Sequence, residues 1–157
     1  MKVLDNELDQ LAFEFFKIFA QYEYALKRTG YTRFRNGKIF LDWDRYAREK
    51  GQLVWELRHK NQNLLNAIEY LLKEPPKKQI LIEGKLCWKD ASRGKTVDDL
   101  FAHVRRVRNN LFHGGKFGGE WLAPDRSREL INNSLIILRA QKMADEKIRE
   151  AIDGSKL

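Results

Sequence analysis

The chain has 157 residues, of which 43% are hydrophobic and 33% charged, a balance that supports one globular domain over residues 1–157 and excludes disordered, collagen-like and disulfide-dependent classes. Thirty Lys and Arg against twenty-two Asp and Glu leave a net charge of +8 and a pI of about 9.6, so a polyanionic partner is a reasonable expectation. No apolar run approaches the roughly 20 residues that cross a bilayer, and the acidic start, Asp5 to Asp9, lacks the basic-then-apolar layout of a signal peptide, which points to the cytoplasm.

Leu4, Leu8, Leu11, Phe15, Ile18, Tyr22, Ala25 and Leu26 recur at helical spacing and predict one long amphipathic helix over residues 5–28, ended by Gly30. Between Tyr31 and Leu41, Asn36-Gly37 supplies the positive φ angles of a tight turn and predicts a small hairpin. Asp42 and Asp44 can cap a helical stretch around Tyr46 and Ala47. A second stretch carries Leu53, Leu57, Leu64, Leu65, Ile68, Leu71 and Leu72 and stops at Pro75-Pro76. Residues 80–88 alternate weakly around Gly84, as a second hairpin or an ordered loop does, with Lys77, Lys78, Lys85, Lys89 and Arg93 clustered there.

Thr96 with Asp99 resembles a relaxed capping box and opens a helix whose apolar positions are Val97, Leu100, Phe101, Val104, Val107 and Leu111, closed by Gly114 and Gly115. Pro124 opens the last helix, whose stripe of Leu130, Ile131, Leu135, Leu138 and Ile148 runs to near the C-terminus. The expected fold is mainly all-α, a bundle of about four long helices with one or two small hairpin or loop insertions. There is no internal repeat and no linker.

The densest polar cluster, V-R-R-V-R-N-N-L-F-H-G-G-K, occupies residues 104–116 at the end of the fourth long helix. Arginine forks bind phosphate, and histidine, with an unperturbed pKa near 6.5, holds useful populations of both protonation states at neutral pH. Metal-independent RNA cleavage needs a base for the 2′-OH proton, an acid for the 5′ leaving oxygen and positive donors for the charged phosphorane. His113 and Arg108 suit those roles, with Arg105, Arg106, Asn110 and Lys116 as phosphate or RNA contacts.

Arg108, four intervening residues, then His113 resembles the Arg-x(4–6)-His motif of HEPN domains, with Asn109 at the polar position that commonly follows the arginine. F-A-Q-Y-E-Y-A-L-K-R-T-G-Y in the first helix, D-W-D-R-Y-A and R-N-N-L-F-H-G-G-K together resemble a plasmid- and phage-associated HEPN subgroup over most of the chain. The resemblance implies a bundle of about four helices, a homodimer with a composite site, and RNA cleavage without metal or other cofactor, with Arg108, His113 and Asn109 catalytic. It also implies a toxin or phage-defence setting, with an antitoxin or defence protein as a further partner. The chain carries Gly115 where HEPN toxins silenced by nucleotidyltransferase antitoxins carry a tyrosine, so that pairing is not implied. Some HEPN proteins are silent binding or dimerisation modules, and that is the alternative function here.

Five residues at 100° each place Arg108 and His113 about 140° apart on an ideal helix. Either the helix distorts before Gly114 or two copies complete each other's site. Arg105, Asn109 and His113 fall in one line. The structural alternatives are a helix-capping role for His113 and an ion pair for Arg108, with Glu23 on the first helix as its partner, able to orient Arg108 or tune His113. Trp43, Trp55, Trp88 and Trp121 suit core or interface more than base stacking. His59, His103 and the single Cys87 are assigned no chemistry, and metalloprotease, phosphate-loop and serine-elbow motifs are absent from the sequence.

Overall fold

An apolar stripe on the first helix, α1 (Asn6–Arg28), buries Leu8, Phe15, Phe19, Tyr22, Ala25 and Leu26 along one face, as residues three and four apart must when they share a side of a helix. The computed structural model describes residues 6–91, 93–113 and 120–154. Gly30, at φ +85°, turns the chain back at the end of α1, and the Tyr31 amide donates to the Leu26 carbonyl at 2.9 Å.

Two antiparallel hairpins follow the same local rule. Strands β1 (Thr32–Arg35) and β2 (Lys38–Leu41) meet through Asn36 and Gly37, both at positive φ. Strands β3 (Lys78–Ile82) and β4 (Lys85–Lys89) meet through Glu83 and Gly84, also both at positive φ. The two-residue turn with both φ positive matches the right-handed twist of the strands it joins. The 80–88 segment is therefore a hairpin rather than a loop.

The apolar stretch from Leu53 to Leu72 is divided. Helix α2 (Trp43–Lys50), capped by the Asp42 carboxylate at the Arg45 amide, is followed by α3 (Gln52–Leu57) and α4 (Gln62–Lys73). Asn61 makes the second break by accepting the Leu64 amide at 3.1 Å, since an asparagine side chain competes well for the free amides of a helix start. At the first break, a Cβ on Gly51 would lie 2.4 Å from the Ala47 carbonyl and 2.8 Å from Val97 Cγ2, so a hydrogen there lets α2 approach the neighbouring chain. The buried Gln141 amide spans this junction, accepting from the Val54 amide at 3.1 Å and donating to the Lys50 carbonyl at 2.9 Å.

Helix α5 (Val97–Phe112) opens with a reciprocal capping box, Thr96 accepting from the Asp99 amide at 3.2 Å and Asp99 from the Thr96 amide at 3.0 Å. Helix α6 (Pro124–Ala144) ends earlier than its apolar stripe predicts. Asp145 caps a short α7 (Glu146–Arg149), which runs into a π-helical turn over Glu150–Gly154. The Asp145 carboxylate accepts from the Tyr46 hydroxyl at 2.9 Å and the Ile148 amide at 3.3 Å, so a long-range bond selects the break. The protein is thus mainly α-helical. Helix α6 packs against α1 and α4, while α5 lies against α2 and α4. The Tyr22 hydroxyl donates to the Leu138 carbonyl at 2.8 Å, locking α1 to α6 through the core.

Candidate functional site

The register of α5 sends its residues to three places. Arg108 points toward α1, where its guanidinium lies 3.5 Å from Glu23 Oε1 and donates to Asn109 Oδ1 at 3.0 Å. The same guanidinium sits 5.4 Å from the Phe19 ring centre and 5.2 Å from that of Phe112, within cation–π range. Phe112 in turn packs against Phe16 of α1. Two aromatic faces and two polar partners thus hold Arg108 in one orientation while about a third of its side chain stays open to solvent.

Arg105, one turn earlier, donates to Asp44 Oδ1 of α2 at 3.0 Å. Asn109 is exposed between them. His113 occupies the C-cap position, its amide donating to the Asn109 carbonyl at 2.9 Å, and its side chain is exposed. Helical geometry therefore persists up to His113, so the roughly 140° divergence of Arg108 and His113 is retained within one copy.

Asn110 and Arg106 belong to another face. The Asn110 side-chain amide donates to the Lys77 carbonyl at 2.8 Å, anchoring the start of β3, and Asn110 helps line a hollow of about 320 Å³ with Trp88 and Arg126. Arg106 stands near His103, whose ring is buried with neither nitrogen hydrogen-bonded among the described residues. Burial, and secondarily the Arg106 charge, lower the His103 pKa, with Asp99 opposing. Lys116, Gly114 and Gly115 lie outside the described residues.

A cleft of about 780 Å³ opens between α1, α5 and the first hairpin. Glu23, Arg105, Arg108 and Asn109 line it from the helices, and Trp43 and Phe19 form apolar wall. Arg33, Phe34, Arg35, Ile39 and Phe40 line it from the hairpin, and none of these five belongs to a motif visible in the sequence. The available signal was that T-R-F-R and K-I-F-L place apolar side chains on both faces of a two-stranded ribbon that has only one side to pack.

The tryptophans divide similarly. Trp43 is buried, Trp55 lies under the Arg58 guanidinium at 4.0 Å, Trp121 donates to Asp9 Oδ1 at 2.8 Å, and Trp88 is exposed on β4. Among the described residues no three His, Cys, Asp or Glu side chains converge as a metal-ion set, and no helix is long and apolar enough to cross a membrane.

Comparison of the chain with protein-family models, curated proteins and solved structures gave no match.

Proposed function

We propose that this protein is a metal-independent endoribonuclease of the HEPN type, acting as a homodimer. In this reading the RNA 2′-oxygen attacks the adjacent phosphorus as its proton passes to His113. The bond to the 5′-oxygen then breaks with proton return, leaving a 2′,3′-cyclic phosphate and a 5′-OH. Arg108 stabilises the charge that develops on the phosphorane oxygens. Asn109 and Glu23 hold the guanidinium in place, and Arg105 contributes to the anionic path.

The observation that carries this reading is the fixed Arg108 guanidinium at the mouth of an arginine-lined cleft, with an exposed histidine one turn beyond Asn109. A group already oriented before substrate arrives stabilises charge without reorganising at the moment of reaction. A fold dominated by α1, α4, α5 and α6 supports the HEPN-like bundle of about four long helices. The regularity of α5 up to His113 favours a composite site built by two copies. A toxin or phage-defence effector, with an antitoxin or defence protein as partner, is the setting that suits such an enzyme.

Digestion of single-stranded RNA by the purified protein, followed by end-group analysis, tests the proposal. Cyclic phosphate and 5′-OH ends are expected, in EDTA as in its absence; 3′-OH ends, or cleavage restored only by added Mg²⁺, would overturn it. A second reading rests on the Arg108–Glu23 ion pair, since a purely structural arginine makes the same contact. In that case the chain is a silent RNA- or protein-binding module, and digestion yields no cleavage.

A further inference from the structure

The hairpin β1–β2 leaves Phe34, Ile39 and Phe40 at 75%, 64% and 49% exposure. Cross-strand pairing sets Phe34 opposite Ile39 and Arg33 opposite Phe40, so large apolar groups stand on both faces of the ribbon. Folding does not use them. An Asn-Gly turn fixes the ribbon, and Leu41 with Tyr31 ties its base to the core. Exposed apolar groups are ordinary when scattered, so it is their place in an arginine-lined cleft that distinguishes these three.

The charges beside them identify its chemistry. Four guanidinium groups, Arg33, Arg35, Arg105 and Arg108, line the cleft against one lining carboxylate, Glu23. Arg33 pairs with the buried Asp42 at 3.6 Å and the half-buried Arg105 with the exposed Asp44 at 3.0 Å, each pair open to solvent on one side, while the Arg35 side chain has no ion-pair or hydrogen-bond partner among the described residues. Part-exposed pairs of this kind are weak and give way to a phosphate, which accepts two guanidinium hydrogen bonds at once. Phe40 stands opposite Arg33 and on the same ribbon face as Arg35, and a flat ring beside guanidinium groups matches a polymer that alternates flat bases with anionic links.

We propose that the hairpin is a clamp for single-stranded RNA, with an unpaired base stacked on Phe40 and the flanking phosphates held by Arg33 and Arg35, which stand on the same face of the ribbon. Stacking on a side chain needs a base whose face is free, so a duplex is rejected. The clamp opens into the same cleft as Arg108 and Asn109 and delivers the strand to them; in this respect it rests on the nuclease reading above. An acidic protein would engage the arginines without needing the rings.

Fluorescence anisotropy with a labelled 2′-O-methyl RNA strand tests the clamp, because that strand lacks the attacking hydroxyl and reports binding apart from cleavage. The wild-type protein is expected to bind the strand at least tenfold more tightly than a duplex of the same sequence. Phe40→Ala, at a half-exposed site outside the core, should weaken binding about tenfold, and Phe40→Trp should retain it. Arg35→Gln should reduce the slope of log affinity against log salt by about 0.7. Equal affinity for duplex and strand, unchanged binding by Phe40→Ala, or equal competition by polyglutamate would overturn the clamp. Strand binding that depends on Phe40 without cleavage of unmodified RNA would leave the clamp standing and remove the nuclease reading. Cleavage that persists with a KM indifferent to Phe40→Ala would do the reverse.

Discussion

Arg108 is held by an ion pair, an amide oxygen and two aromatic faces, whereas His113 is exposed at a helix end, so the two substitutions should differ in their structural cost. His113→Ala and Arg108→Ala are each expected to lower RNA cleavage by a hundredfold or more. His113→Ala should leave the unfolding midpoint unchanged, while Arg108→Ala costs up to about 1 kcal/mol, the scale of a part-exposed ion pair. Wild-type cleavage by either purified variant would remove that residue from the mechanism. His103 predicts a pH effect of opposite character. Its folded pKa lies below the unfolded value near 6.5 because burial and Arg106 outweigh Asp99. The unfolded chain therefore binds the extra proton first on acidification, and stability present above about pH 6.5 is lost as pH falls. His103→Phe, which removes two unpaired ring nitrogens, should flatten the dependence of the urea midpoint between pH 7.5 and 5.5. An unchanged slope would assign that dependence to other groups.

Helix junctions, more than helix interiors, decide how this chain packs. At the α2–α3 break, the Val54 amide, the Lys50 carbonyl and the Tyr46 hydroxyl all meet one buried side chain, Gln141. Gln141→Leu leaves those groups without that partner and should cost about 2–4 kcal/mol in chemical denaturation, since each buried unpaired group costs on the order of 1–3 kcal/mol. Gly51→Val should also cost on the order of 1–3 kcal/mol, because its side chain would collide with the Ala47 carbonyl and Val97. A loss below about 0.5 kcal/mol for both would show that the junction adjusts freely. The α5 cap is local by contrast, and Thr96→Ala should cost about 1 kcal/mol.

For the whole molecule, Arg108 and His113 lie on diverging helix faces of one copy, and the proposed reaction uses both. In the proposed homodimer, two copies meeting at the ends of α5 would supply an arginine and a histidine from different chains. Mixing inactive Arg108→Ala with inactive His113→Ala should then restore part of the activity, because one intact half-site forms in the heterodimer. A strict monomer by light scattering, retaining full activity, would exclude the composite site. Such an approach also crowds Arg105 and Arg108 from both copies, and the contacts to Asp44 and Glu23 reduce that repulsion.

The sequence by itself determined what is encoded within a few residues: the end of α1 at Gly30, the Asn36-Gly37 turn, the Thr96–Asp99 box and Pro124 at the start of α6. These features depend on backbone angles and caps that each segment satisfies alone. Glu23 was legible as a partner for Arg108 because a carboxylate among aromatic neighbours on an apolar helix needs a cation nearby. Tertiary structure alone decided that Asn110 serves the Lys77 carbonyl, that Asp145 ends α6 for the sake of Tyr46, and that the first hairpin closes over Arg108 and Asn109 to form the cleft. Each of these joins groups far apart in the chain, whose meeting depends on how α1, α2, α5 and α6 bury their stripes together, and no local pattern carries that distance.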